Sequence, residues 1–350
     1  MTSQRPSLQR PSLQHPKLQS PWVLALVGLV SLVGSLAAWR TLNSQARLSV
    51  AITSWPGFEY LYLAEQRRLG HRYGLDLRVQ QYTSIEDQRL AYGRGDVEVI
   101  ATNLPDAITI CQEVPKRCPE LFLVIDQSEG ADVIISKSDI GDVRGLVGQT
   151  VGLERTVLAE YLLLRAFETK QGPFDQVRFM HEGPSALVSA LSKGKVAAIV
   201  TYPPHSNLLR EDSRYRVLFN SVQIPGEIVD ILAVNPAFAK RHPGTIRALV
   251  RTWWAAQALA KAEPISSQAL MAKREQVSPA EFVASERGIR YPTSADQAEM
   301  LAPTGSVARV LARMAGQMIS AGRLSAKTPL PTPTQAFLPK PEKMVTFLVK

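Results

Sequence analysis

Cysteine is nearly absent: Cys111 and Cys118 are the only two in 350 residues. That scarcity excludes a disulfide-built scaffold and a cysteine-rich metal site. No cysteine stands near residue 37, so a lipid-attached mature N-terminus there is excluded as well. The pair is separated by a short loop and leaves two states open, a disulfide in an oxidising compartment or two buried thiols. Histidine is also sparse. The five (His15, His71, His181, His205 and His242) are scattered and form no ligand set. A Gly-x4-Gly-Lys-Ser/Thr phosphate loop, HExxH and GxSxG are all missing. The nearest thing to an acid–base pair, His181-Glu182, reads better as a polar loop. No metal, no cofactor and no catalysis are therefore expected. Runs of basic residues interleaved with aromatics are lacking too, which argues against a nucleic-acid partner.

What is present is an ordinary globular composition, with 45% hydrophobic and 20% charged residues and a formal charge of +9. Arg5, Arg10 and Lys17 supply three of those charges. The remaining 37 basic and 31 acidic residues leave a mild, dispersed +6. Residues 1–21 repeat Arg5-Pro-Ser-Leu-Gln, Arg10-Pro-Ser-Leu-Gln and His15-Pro-Lys-Leu-Gln. A proline every fifth residue forbids a helix, so this stretch reads as a disordered cytoplasmic segment. Residues 22–39, from Trp22 to Trp39, carry no charge and as a helix would be about 27 Å long, close to a bilayer's hydrocarbon thickness. Basic residues before it place the N-terminus inside and the rest outside. Ser35-Leu36-Ala37 offers a small-x-small cleavage site, and the length suits an uncleaved membrane anchor. Either way the body of the chain is expected in the periplasm or on the extracytoplasmic face of the inner membrane.

From Arg47 onward short apolar runs alternate with helical patterns. Strands are expected at Leu48–Thr53, Asp76–Gln80, Val97–Thr102, Leu121–Ile125 and Asp132–Ser136, with helices at Phe58–Leu69 and Ile85–Tyr92. The pattern then restarts with strands at Thr150–Leu153, Val177–His181 and Val196–Thr201 around helices Val157–Thr169 and Pro184–Ser192. Such alternation predicts α/β architecture with largely parallel sheets. Two matches run in register with these elements. Val50 and Glu59-Tyr60-Leu61 parallel Val151 and Glu160-Tyr161-Leu162 at an offset of 101. Gly95-x6-Thr102-x2-Pro105 parallels Gly194-x6-Thr201-x2-Pro204 at an offset of 99. Two lobes of one plan follow, with ligand binding expected where the carboxyl ends of their strands face each other. Asn235–Lys350 reads as mainly helical, ending in a proline-rich tail from Lys327 that wraps the surface.

The chain resembles periplasmic solute-binding proteins of the nitrate/sulfonate/taurine and thiamine-pyrimidine-precursor class, which have the type II binding-protein fold. The similarity is carried by Ala51-Ile-Thr-Ser-Trp-Pro-Gly57, Gly95-Asp96-Val97 and Gly148-Gln-Thr-Val-Gly152 leading to Glu160-Tyr-Leu-Leu-Leu-Arg165. Ile228-Val-Asp-Ile-Leu-Ala-Val234 and Phe238-Ala-Lys-Arg-His-Pro243 belong to it too, over roughly residues 46–325. The resemblance implies a discontinuous first lobe, 46–130 with 228–350, and a second lobe, 131–227, hinged near Glu129–Val133 and Glu227–Val234. It implies a monomer that hands a small solute to an ABC permease and its ATPase. The solute is expected to be polar or anionic, similar to a sulfonate, taurine or nitrate. A thiamine-pyrimidine precursor and a membrane-anchored sensing domain are the alternatives. A pyrimidine-synthesising enzyme shares the fold, but its cysteine-rich cluster is missing here.

The resemblance places Ser54, Trp55, Pro56 and Gly57 in a cleft-lining loop, with Trp55 enclosing an apolar ligand part and Gly57 admitting close backbone approach. Thr102 and Asn103 offer hydroxyl and amide groups, and Thr102 doubles as a candidate helix cap. Glu154, Arg155 and Thr156 form the matching loop, where Arg155 either pairs with an anion or faces solvent. Tyr202 follows the third strand of the second lobe. Related proteins often follow such an aromatic with a carboxylate, and Pro203 replaces it here. Asp230 interrupts an apolar strand and needs a partner, either a ligand amine or an internal hydrogen bond.

Overall fold

The computed structural model describes residues 45–339; the expectations for 1–21 and 22–39 lie outside them. Among the described residues no helix is long and apolar enough to cross a membrane.

The strands are β1 (Ala46–Ile52), β2 (Leu75–Gln81), β3 (Val99–Asn103), β4 (Glu120–Ser128), β5 (Val133–Lys137), β6 (Thr150–Leu153), β7 (Arg178–His181), β8 (Ala198–Thr201), β9 (Tyr215–Asn220), β10 (Val229–Val234), β11 (Ile289–Arg290) and β12 (Thr332–Pro333). Helices α1 (Glu59–Gln66), α2 (Ile85–Arg94), α3 (Leu104–Glu113), α4 (Val157–Thr169), α5 (Pro184–Ser192) and α6 (Asn207–Glu211) connect them. The C-terminal third adds α7 (Pro236–Arg241), α8 (Pro243–Ala262), α9 (Pro264–Glu275), α10 (Pro279–Ser285), α11 (Asp296–Met300) and α12 (Ser306–Ser320).

The strands form two sheets. One contains the path β2-β1-β3-β10-β4-β11, with β12 also pairing β4; the other runs β7-β6-β8-β5-β9. The first five positions match one for one. The opening three strands are parallel in each sheet, the fourth is antiparallel to the third, and the fifth is antiparallel to the fourth. Val50 and Val151, matched in sequence, both lie on the central strand of the parallel trio and pair with β3 and β8 respectively. Gly95 and Gly194 end α2 and α5 in the left-handed region, at φ 89° and 68°, where a side chain would be strained. The α/β, two-lobed type II fold with a helical C-terminal region is thus the observed architecture.

Helices cover both faces of each sheet, which explains why β3 and β10 are buried at every residue rather than alternating. Leu48, Val50 and Ile52 pack on one side against α1 and α8 through Leu61, Leu249 and Trp253. Ala51, Ile100 and Ile231 pack on the other with Ile108, Leu311 and Met314. The sequence reading leaves α3 unassigned. Pro105 sits in its first turn, where the missing N–H has no intrahelical partner to lose. Cys111, in the last turn of α3, forms a disulfide with Cys118. The tail does more than wrap the surface: β12 pairs with the start of β4, and Phe337 is buried edge-on against Phe122.

Candidate functional site

The carboxyl ends of β1 and β3, the amino end of antiparallel β10 and the far end of β4 meet at one edge of the larger sheet. Asn103 and Asp230 are register partners, and so are Asp230 and Asp126. The chain leaves this sheet after Ser128, enters the other at Val133, and returns between Asn220 and Val229. The two crossovers are bonded to each other. The Ser128 and Ser221 hydroxyls lie 2.8 Å apart, the Gly130 N–H donates to Ser221 Oγ at 2.6 Å, and the Asp132 N–H donates to Ser128 Oγ at 3.1 Å.

A cavity with about 390 Å³ of space, part of it open to solvent, lies at this edge. The β1–α1 loop contributes Thr53, Ser54, Trp55 and Phe58. Gln88 comes from α2, Thr102 and Asn103 from the end of β3, and Asp230 from β10. Asp132 from the crossover, Leu158 from α4 and Tyr202 after β8 close it from the side of the other sheet. Six of the sequence-predicted residues are therefore gathered here: Ser54, Trp55, Thr102, Asn103, Tyr202 and Asp230.

The other five lie off the lining. Pro56 and Gly57 are buried in a short 3-10 turn. Gly57 serves a carboxylate rather than a ligand: a Cβ there would stand 1.8 Å from Asp126 Oδ2. Glu154 sits beside the Tyr202 phenol. Arg155 is exposed. Thr156 caps α4, its hydroxyl accepting from the Ala159 N–H at 3.2 Å. The cap of α3 is Asn103, not Thr102: Asn103 Oδ1 accepts from the Asp106 N–H at 2.9 Å.

Each polar lining group has a local history. Trp55 donates its indole N–H to Asp126 at 3.0 Å and meets Tyr202 edge-on, ring centres 5.8 Å apart. Ser54 donates to Glu275, which neighbours Arg274 in α9; Arg274 pairs with buried Glu59 at 3.1 Å and donates to the Thr53 carbonyl. This buried cluster fixes the β1–α1 loop. Gln88 Nε2 donates to the carbonyls of Ala51 and Ala101, at 2.9 and 2.8 Å, where β1 and β3 part. Thr102 Oγ1, Asp132 Oδ2 and Gln88 Oε1 are buried without a partner.

The electrostatics are acidic. Burial pushes Asp126 and Asp230 upward, and their shared hydrogen bond lets one carboxyl keep its proton while the other accepts it. Burial likewise pushes Asp132 up to about 6 and Glu154 up to about 7. Sequence reasoning flagged Asp230 as a charge in an apolar run. The same signal marks Asp126 after Leu121–Ile125 and Asp132 ahead of Val133–Ile135, and both went unread. Gln88 carried no such signal. Among the described residues no group of histidine, cysteine and carboxylate side chains is arranged to hold a metal.

The lobes also touch beside the cavity. Asp106, wholly buried in α3, accepts from the Val157 N–H at the start of α4. Further along α4, Tyr161 and Arg165 both donate to Glu227, at 2.6 and 2.8 Å, while Arg313 of α12 pairs with the same carboxylate at 3.4 Å.

A family model described as NMT1/THI5 like matches residues 55–267. No curated protein matches the chain in sequence. Solved structures share its fold at low identity. The alkanesulfonate-binding protein SsuA of Xanthomonas axonopodis pv. citri is 15% identical, with 82% of this chain and 97% of that one covered at a TM-score of 0.66. The periplasmic nitrate-binding protein NrtA of Synechocystis PCC 6803 is 12% identical, covering 81% and 83% at 0.64. The desulfurization enzyme DSZB is 14% identical, covering 83% and 98% at 0.57. The fold alone therefore accommodates both binding and chemistry.

Proposed function

Because the chain belongs to the NMT1/THI5-like family, we propose that it is the extracytoplasmic solute-binding component of an ABC importer. The observation that carries this reading is the cavity, which both sheets close with side chains from their strand ends. A solute held there touches both halves, so its binding energy favours the closed arrangement over the open one. A permease and its ATPase would then recognise the closed monomer. The function is capture and release rather than catalysis.

The proposed lobes are 46–130 with 228–350, and 131–227; the crossovers around Glu129–Asp132 and Ser221–Ile228 act as the hinge, placed ahead of the expected Glu227–Val234 because Val229–Val234 is β10, paired on both sides. The residues proposed to touch solute are Ser54, Trp55, Thr102, Asn103, Tyr202 and Asp230, joined by Gln88 and Asp132. The Cys111–Cys118 disulfide supports an oxidising compartment, in keeping with export or anchoring by residues 22–39. Sulfonate, taurine and nitrate call for a cationic contact, and Arg155, the cation expected to supply it, stands exposed outside the lining. The solute is proposed to be small and polar.

The test combines thermal-shift screening with X-ray scattering on the full chain. A solute that raises Tm is expected to shrink the radius of gyration, and Trp55→Ala is expected to weaken both effects. Binding without contraction would remove the two-lobed capture mechanism.

A further inference from the structure

The cavity's hydrogen-bond capacity is lopsided. Its strongest side-chain donors are already engaged within the protein: the Trp55 indole with Asp126, both bonds of Gln88 Nε2 with backbone carbonyls, and the Ser54 hydroxyl with Glu275. What stays unpartnered is mainly acceptor. Asp132 Oδ2, on a residue 5% exposed, and Gln88 Oε1, on one wholly buried, have no partner, and neither does the Thr102 hydroxyl. Asn103 uses its oxygen on the cap of α3 and retains an N–H2 group. Leaving buried acceptors bare costs free energy, so an occupant that brings donors is favoured.

The charges point the same way. Among the described residues Asp132 and Asp230 are the carboxyl side chains on the lining, Asp230 sharing a proton with Asp126, which stands directly behind Trp55. No lysine, arginine or histidine belongs to the lining. Arg210, the cation that acts on Asp132, donates to the carbonyls of Gly130 and Ala131 and is not part of the lining. Phe58, Ile85, Leu158 and Trp55 supply apolar walls. An anion placed here would face carboxyl groups at low dielectric with no cation on the lining to meet it.

We propose that the cleft selects a small organic cation, a protonated nitrogen base whose N–H groups sit on an apolar body. The inference rests on reading the cavity as the solute site. Asp132 receives the charged N–H group, Gln88 Oε1 and Thr102 take further donors, and the apolar walls enclose the body. Asp132 ionises with its pKa raised to about 6, so it carries its charge at neutral pH.

Benzamidinium, benzamide and benzenesulfonate share one ring and differ in charge, which makes them suitable probes for calorimetry on the full chain at pH 8. Benzamidinium is expected to bind at least tenfold more tightly than benzamide, and benzenesulfonate not at all. Asp132→Asn is expected to erase the preference for benzamidinium over benzamide while circular dichroism stays native. Should that variant fail to fold, the wild-type chain supplies the readout: benzamidinium affinity falls below about pH 6 and benzamide affinity does not. Equal or tighter binding of benzenesulfonate overturns the inference, and so does equal binding of benzamide. If only anions or neutral solutes from a wide panel close the lobes, the cation inference fails and the capture reading stands. If no solute produces contraction, the capture reading fails with it.

Discussion

Gly57 and Trp55 serve the same oxygen. One leaves room for Asp126 Oδ2 and the other donates to it. Gly57→Ala therefore drives a Cβ into a buried carboxyl that faces Asp230 across the sheet, and is expected to destabilise the fold by about 1–3 kcal/mol, read from the urea midpoint at constant m. Trp55→Phe keeps the ring but strands the carboxyl, at a cost of about 1–3 kcal/mol. The acids also set the pH response of the solute-free protein. Burial raises Asp126, Asp132 and Glu154 above their unfolded values, so between the unfolded range near 4 and the folded values near 6 to 7 the native state binds more protons. Their contribution to stability is therefore greatest on the acid side of this window and is lost as pH rises through it. Tm of the unliganded chain is expected to rise on acidification from pH 8 to pH 5. A Tm that falls steadily over that range would contradict these assignments. Asp230 was legible from sequence because a charge within Ile228–Val234 needs an explanation. Its partner was not, because Asp126 lies 104 residues away and only strand register brings the two opposite each other.

At the level of elements, most strands and helices were readable from period and punctuation. Thr150–Leu153, Val157–Thr169 and Pro184–Ser192 appear with the expected bounds. The omissions have physical causes. Helix α3 starts at Leu104 directly after β3, with no loop to set it apart, and β9, an edge strand with exposed Arg216 and Val217, lacks the apolar run of a buried strand. The contacts of α4 were illegible for another reason: they join three distant segments. Burial raises Glu227, but Arg165 and Tyr161 outweigh it and hold the carboxylate below its usual range. Glu227→Ala removes the shared acceptor of Tyr161, Arg165 and Arg313, and is expected to cost about 3 kcal/mol by chemical denaturation. Opening the Cys111–Cys118 bridge frees a short loop, and reductant is expected to lower stability by about 2 kcal/mol.

On the scale of the whole molecule, the repeated plan has diverged unevenly. The matching glutamates show it. Glu59 is buried and paired with Arg274, whereas Glu160 pairs with Arg323, which is half exposed. The third-strand threonines, Thr102 and Thr201, kept their equivalent places and both hydroxyls are buried without a partner, but only Thr102 reaches the cavity. Most of the lining comes from the larger sheet and its loops, Asp132 comes from the crossover, and Leu158 and Tyr202 arrive from the smaller sheet's half. On the capture reading proposed above, a visiting molecule is seated on the larger sheet and the crossover before Leu158 and Tyr202 swing over it. In that mechanism arrival is governed by the seat and departure by the cover. Tyr202→Ala should accordingly speed dissociation several-fold in stopped-flow measurements and leave the association rate nearly untouched. Evolution can then retune how long cargo is retained without redrawing what is accepted.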